Sequence, residues 1–143
     1  MISITLDAPG KNALSTSLMR KTIEQFHAAG DEPVLFSGAN GCFSAGLNLV
    51  EVVSLTGEQM AGFLNILTEL CKTIWLHPAP VVGLIQGHAI AGGCVIAQCC
   101  DVRIAPPSDR ARMGLNEVAL GLRIPPTVLA MMRDRIPRRH HEE

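Results

Sequence analysis

The first six residues alternate: Ile2, Ile4 and Leu6 are apolar and Ser3 and Thr5 are polar, the two-residue period of a half-buried strand. Pro9-Gly10 ends that pattern. From Ser15 to Ala29 the period changes to that of a helix, with Leu18, Thr22, Ile23 and Phe26 on one side and Gly30 as its stop. Val34–Ser37 is a short apolar run of buried-strand type, followed by the loop composition Gly38-Ala39-Asn40-Gly41. The clearest element lies between Thr56 and Leu76. Thr56 and Gln59 have capping-box spacing, and Met60, Phe63, Leu64, Leu67, Leu70, Cys71, Ile74 and Trp75 recur at steps of three and four. That stripe reads as core. His77-Pro78-Ala79-Pro80 closes the helix, and Val81 to Gln86 reads as the next strand. A helix from about Gly92 to Cys100 follows, then strands at Asp101–Ala105 and Arg112–Leu115. A helix or turn is expected at Asn116–Ala119, and Pro125-Pro126 opens a last helical stretch.

Strands alternating with helices indicate an α/β fold. The 143 residues are enough for one domain with its own core. No repeat or low-complexity segment is visible. The longest apolar candidate, Val81–Cys100, is interrupted by Gly83, Gln86, Gly87, His88 and Gly92-Gly93, well short of the ~18 residues of a membrane span.

Composition sharpens this picture in two respects. Hydrophobic residues make up 48% and charged residues 17%, with mean hydropathy +0.27, which is apolar for a soluble monomer. Part of the surface is therefore expected to be covered by other subunits or by further chain. A net charge of −1 argues against nucleic-acid binding. Five cysteines, Cys42, Cys71, Cys94, Cys99 and Cys100, form no C-x-x-C pair and cannot all be bridged within the chain. Mostly set in apolar stretches, they read as buried packing in a reducing compartment.

Two short segments carry the candidate chemistry. One is Phe43-Ser44-Ala45-Gly46-Leu47-Asn48-Leu49; the other is Gly87-His88-Ala89-Ile90-Ala91-Gly92-Gly93-Cys94-Val95. Each sets small residues before an apolar, helix-capable run, as a site needs when bare backbone N–H groups must approach a ligand. Two such loops can supply the two donors of an oxyanion hole. Either alone would be an ordinary tight turn. Gly114-Leu115-Asn116-Glu117 adds a carboxylate among apolar residues. His88 has no second ligand at metal-binding spacing and reads as a loop or core histidine. His140-His141 beside Arg138-Arg139 read as a solvated end. No metal site, Ser-His-Asp pattern or phosphate loop is found.

Taken together, and followed by Cys100-Asp101-Val102-Arg103-Ile104-Ala105, these segments resemble the crotonase superfamily of enoyl-CoA hydratases and isomerases. The resemblance runs from Ile2 to about Ile136. It implies the crotonase (ClpP-like) fold of repeated ββα units and a CoA thioester substrate. By the same resemblance the N–H groups of Leu47 and Gly92 form the oxyanion hole. Ala45, Gly46, Asn48, Gly93, Val95 and Asn116 then lie against substrate. Hydratases of this family use two glutamates, and the first of those positions is Val95 here, which has no proton chemistry; the second is Glu117. Gly114–Glu117 and Ala91-Gly92-Gly93-Cys94 are most similar to Δ3,Δ2-enoyl-CoA isomerases, in which a single carboxylate moves a proton from C2 to C4. Glu117 is then the catalytic base and acid. An apolar setting among Leu115, Val118, Leu120 and Leu122 would favour its neutral form.

Three departures are visible. Asn48 stands where many relatives have aspartate, Ala91 replaces the first glycine of a triple-glycine run, and Arg123-Ile124-Pro125-Pro126 replaces a glycine-rich loop. The last two favour the isomerase side. The resemblance further implies no cofactor beyond the CoA of the substrate, and a homotrimer or dimer of trimers for the full-length protein. It implies a place in fatty-acid β-oxidation, in a bacterial cytoplasm or in a eukaryotic mitochondrial matrix or peroxisome. Family members are longer and end in helices, so residues 1–143 are expected to be a crotonase-fold core domain without the C-terminal helical trimerisation region. Hydration or hydrolysis on the same scaffold, or a non-catalytic acyl-CoA-binding or oligomer-forming subunit, are the other readings the sequence leaves open.

Overall fold

A computed structural model describes residues 1–107, 111–115 and 124–138. Four parallel strands form the main sheet in the order β1-β2-β3-β5: β1 (Ile2–Leu6), β2 (Val34–Gly38), β3 (Val81–Leu84) and β5 (Val102–Ile104). Parallel strands need long crossovers. These are supplied by α2 (Thr16–Ala29) between β1 and β2, α3 (Leu49–Val52) and α4 (Gly57–Trp75) between β2 and β3, and α5 (Gly92–Cys99) between β3 and β5. Before α2 lies a single tight turn, α1 (Pro9–Asn12), in which Gly10, Lys11 and Asn12 take positive φ. The helix α6 (Pro126–Arg135) packs on α5.

A second, smaller sheet runs beside the first. β4 (Ala89–Ile90) pairs in parallel with β6 (Met113–Gly114). Single bridges extend the same layer, Ser44 to Ala89 and Leu14 to Leu47. Every main-sheet strand is thus followed by a short segment that pairs in the same order as the strands, which is the ββα repeat expected of the fold.

Local rules explain where the helices begin. The Ser15 hydroxyl accepts from Leu18 N at 3.1 Å and caps α2. Thr56 and Gln59 make both bonds of the anticipated capping box on α4. α2 then buries Leu18, Met19, Thr22, Ile23 and Phe26. Phe26, Phe36 and Phe43 meet edge to face, with centroids 5.4 and 5.3 Å apart along the series, and lie at the centre of the core. α5 ends one residue earlier than its apolar run suggests, because Cys100 has turned to extended backbone to enter β5.

All five cysteines are buried thiols outside any disulfide, as expected. Contact with Cys71 and burial raise the Cys99 thiol far above its ordinary range. Burial, foremost, pushes Cys100 up to about 12. Both remain protonated packing groups at neutral pH. Exposed apolar side chains gather on α3 and just after it (Leu49, Val50, Val53) and on the edge strand β5 (Val102, Ile104). Among the described residues no helix is long and apolar enough to cross a membrane.

Candidate active site

The two small-residue loops meet. Leu14 N donates to Gly46 O at 2.7 Å and Asn48 N donates to Leu14 O at 3.0 Å. Since successive backbone groups of an extended segment point to opposite sides, those two bonds turn the N–H of the intervening Leu47 away from Leu14. On the other loop, Ala91 N donates to Gly114 O at 2.8 Å, and α5 starts at Gly92. The first N–H groups of a helix have no partner within it. Among the described residues no hydrogen bond takes up the N–H of Leu47 or of Gly92.

Close approach is built into this junction. Gly46 has φ +95°, and a Cβ there would lie 2.8 Å from Ile90 O and 3.2 Å from Gly92 N. A Cβ on Gly93 would lie 2.8 Å from the Ser44 side chain and closer still to its carbonyl oxygen. Both positions demand glycine for space, and Gly46 also for its backbone conformation. Ala91 shows the reverse. Its φ of 50° and ψ of −125° belong to a region that glycine populates freely and alanine does not. Ala91→Gly is therefore expected to stabilise the protein by up to about 1 kcal/mol, strain relief exceeding the added unfolded-state entropy. A thermal melt that fell instead would contradict it.

A buried network, missed by the sequence reading, fixes the first loop. Asn12 has 1% exposure. Its Nδ2 donates to Cys42 O at 2.8 Å and Ala39 O at 3.0 Å, and its Oδ1 accepts from Ala8 N at 3.2 Å. Ser44 Oγ donates to Asn12 O at 2.8 Å and accepts from Gly46 N at 3.2 Å. The sequence offered one signal: an Asn beside Pro-Gly, the residue type best suited after glycine to positive φ. Asn12→Ala takes the side-chain donor from the buried Cys42 O and the acceptor from Ala8 N, and is expected to cost about 3 kcal/mol, read from denaturant unfolding.

Leu47 and Gly92 both line one cavity of about 230 Å³. Its walls are Leu47 and Leu49 with Val52 from α3, Met60, Leu64 and Leu67 from α4, and Gly92 and Val95 from α5. Residues 124 and 125 with Val128 also line it. Among the described residues the lining side chains carry no charge. The polarity comes from the donor pair and from the positive end of the α5 dipole. Of the helical stripe assigned to the core, Leu67 is buried core that also lines the cavity, while Met60 and Leu64 are partly buried cavity wall. The Leu47 side chain, irrelevant to its N–H role, also counts structurally, since its Cδ2 lies 3.1 Å from where a Gly92 Cβ would be. A larger groove of about 460 Å³ lies between the C-terminal ends of α2 and α4, at His27, Glu69 and His77, and holds none of these residues.

The remaining candidates sit as follows. Ala45 is exposed and its N–H donates to Lys11 O at 3.0 Å. Asn48 caps α3, Oδ1 accepting from Val50 N and Glu51 N at 3.1 and 3.2 Å. Gly93 packs on Ser44, and Val95 faces the cavity. His88 is a loop histidine, its Nδ1 accepting from Arg112 N at 3.2 Å. Among the described residues no cluster of side chains suits a metal ion. Glu117 and Asn116 lie outside the described residues, as do Val118, Leu120, Leu122 and the terminal histidines.

The enoyl-CoA hydratase/isomerase family model matches residues 1–143 in full. The chain belongs to the enoyl-CoA hydratase/isomerase family. Its relatives are mixed in activity. The human mitochondrial enoyl-CoA delta isomerase 1 is 37% identical over 92 residues, covering 64% of this chain and 30% of its own length. A probable enoyl-CoA hydratase of Bacillus subtilis is 32% identical over 124 residues, 83% of this chain and 47% of that one. Among solved structures, a probable enoyl-CoA hydratase from Mycobacterium tuberculosis superposes with a TM-score of 0.85 at 30% identity. That superposition covers 98% of this chain and 60% of the other. The matches thus span 30% and 47% of the length of these two curated relatives.

Proposed function

We propose that this protein is a Δ3,Δ2-enoyl-CoA isomerase of fatty-acid β-oxidation, with Leu47 and Gly92 as thioester-polarising donors and Glu117 as the proton carrier. The observation that carries this reading is the cavity at the paired loops. Leu47 and Gly92, whose N–H groups have no hydrogen-bond partner among the described residues, both line it, and Val95 stands on the first turn of α5 where hydratases of the family place a carboxylate.

The chemistry follows from that inventory. Removing a proton from C2 of a 3-enoyl thioester sends the electron pair into a dienolate whose negative charge rests largely on the thioester oxygen. Two fixed N–H donors stabilise that oxygen without reorganising, and losing one such donor typically costs about 2.7–4 kcal/mol. The proton taken by Glu117 returns at C4, the double bond settles between C2 and C3, and the carboxylate is restored. No water is consumed, so one carboxylate suffices. The aliphatic side chains that line the cavity among the described residues suit a hydrocarbon tail and lower the local dielectric, which would strengthen both amide contacts.

Hydration is the second reading, favoured by the hydratases among the relatives. The experiment that tests the proposal is incubation with a 3-enoyl-CoA while following absorbance of the conjugated thioester. Rising absorbance supports isomerisation. A 2-enoyl-CoA that loses its conjugation under the same conditions supports hydration.

A further inference from the structure

Backbone bonds to Leu14 hold Leu47 itself, but the turn that follows it has little of its own to fix it. α3 is a single turn with no buried residue, and its own apolar side chains Leu49 and Val50 are exposed. A helix of that length has no stability of its own. Asn48 caps it, but that bond lies within the segment and ties it to nothing else.

Val52 of α3 lies partly buried against the core, and among the described residues Glu51 makes the side-chain hydrogen bonds that leave the segment. Glu51, half-buried, accepts from Thr16 N at 3.0 Å through Oε2 and from the Thr16 hydroxyl through Oε1. Thr16 is the first residue of α2, whose Ser15 cap already serves Leu18 N. Glu51 therefore satisfies a second orphan donor of α2 and sets a negative charge at the positive end of that helix. The backbone bridge at Leu14 holds the same segment two residues away. Leu47 is consequently gripped on both sides from one short stretch, by Leu14 through the backbone and by Thr16 through the Glu51 carboxylate.

We propose that Glu51 is a positioning residue for catalysis: by clasping Thr16 it fixes α3, and with it the direction of the Leu47 N–H toward the thioester oxygen. This rests on reading Leu47 and Gly92 as the polarising pair. Misplacing a catalytic group by about 1 Å can cost of order 10²-fold in rate, so loosening one of two anchors is expected to lower kcat of order tenfold. KM should move little, because the acyl tail is held by the rest of the cavity.

The test is isotope-edited infrared spectroscopy of an acyl-CoA labelled with 13C at the thioester carbonyl, bound to wild type, Glu51→Ala and Glu51→Gln. The carbonyl stretch reports hydrogen bonding to the oxygen directly and needs no turnover. Wild type is expected to lower the frequency on binding. Glu51→Ala should lose part of that shift, and Glu51→Gln, which keeps one acceptor, should recover some of it. Thr16→Val, removing only the hydroxyl contact, gives a milder version if Glu51→Ala does not fold. A residue that merely stabilises would lower the melting temperature and leave the bound carbonyl unchanged. A wild-type shift retained in full by folded Glu51→Ala and Thr16→Val proteins would overturn the role of Glu51 alone. No shift in wild type would overturn the donor pair, and the role of Glu51 with it.

Discussion

Gly46→Ala is expected to reduce isomerase turnover by about 100-fold while leaving a protein that folds with reduced stability. Two costs act together. Alanine at φ +95° pays of order 1–3 kcal/mol for its backbone conformation. Its Cβ also meets Ile90 O at 2.8 Å, a backbone atom that cannot swing aside like a side-chain tip. Relief therefore requires the two loops to separate, and this contact sits between the Leu47 and Gly92 amides. Loss of one donor would account for most of the rate change, at about 2.7–4 kcal/mol. The check is kcat on a 3-enoyl-CoA with a thermal melt of the same protein. Unaltered kcat with a lowered melt would separate the junction from the chemistry.

Glu117→Gln is expected to act more strongly on rate and hardly at all on stability. A positioned general acid–base contributes roughly 10²–10⁴-fold, and here one group would serve both transfers. A drop in kcat of about 10³-fold or more is therefore anticipated, with acyl-CoA affinity kept within a few-fold. Glutamine preserves shape and hydrogen bonding and removes the basic electron pair. A Glu117→Gln protein that turned over normally would remove Glu117 from the mechanism, and with it the one-carboxylate argument.

Long periodic elements were legible because repeated residues report one environment many times. α4 shows this best, since eight apolar positions and a capping box all agree. The second sheet was not legible as a layer, because segments such as Ala89–Ile90 and the single bridges at Leu14 and Ser44 are too short to carry a period. Cavity wall and core could not be told apart on α4, because an acyl cavity and a packed interior demand the same aliphatic side chains. The donor loops were legible through small residues and family resemblance, yet what holds them was not. Asn12 and Glu51 act across 30 and 35 residues of sequence, by contacts that only the fold creates. Asn48 illustrates the same limit from the other side, since its substitution for aspartate keeps an acceptor oxygen on the α3 amides.

If Glu117 alone carries the proton, the site moves a double bond and adds nothing. Mass spectrometry of the product formed from a 3-enoyl-CoA in H₂¹⁸O decides between this and hydration. The expected first product is a conjugated 2-enoyl-CoA of unchanged mass, free of ¹⁸O. A 3-hydroxyacyl-CoA carrying one ¹⁸O, or a free acid released from CoA with ¹⁸O in its carboxylate, would contradict it.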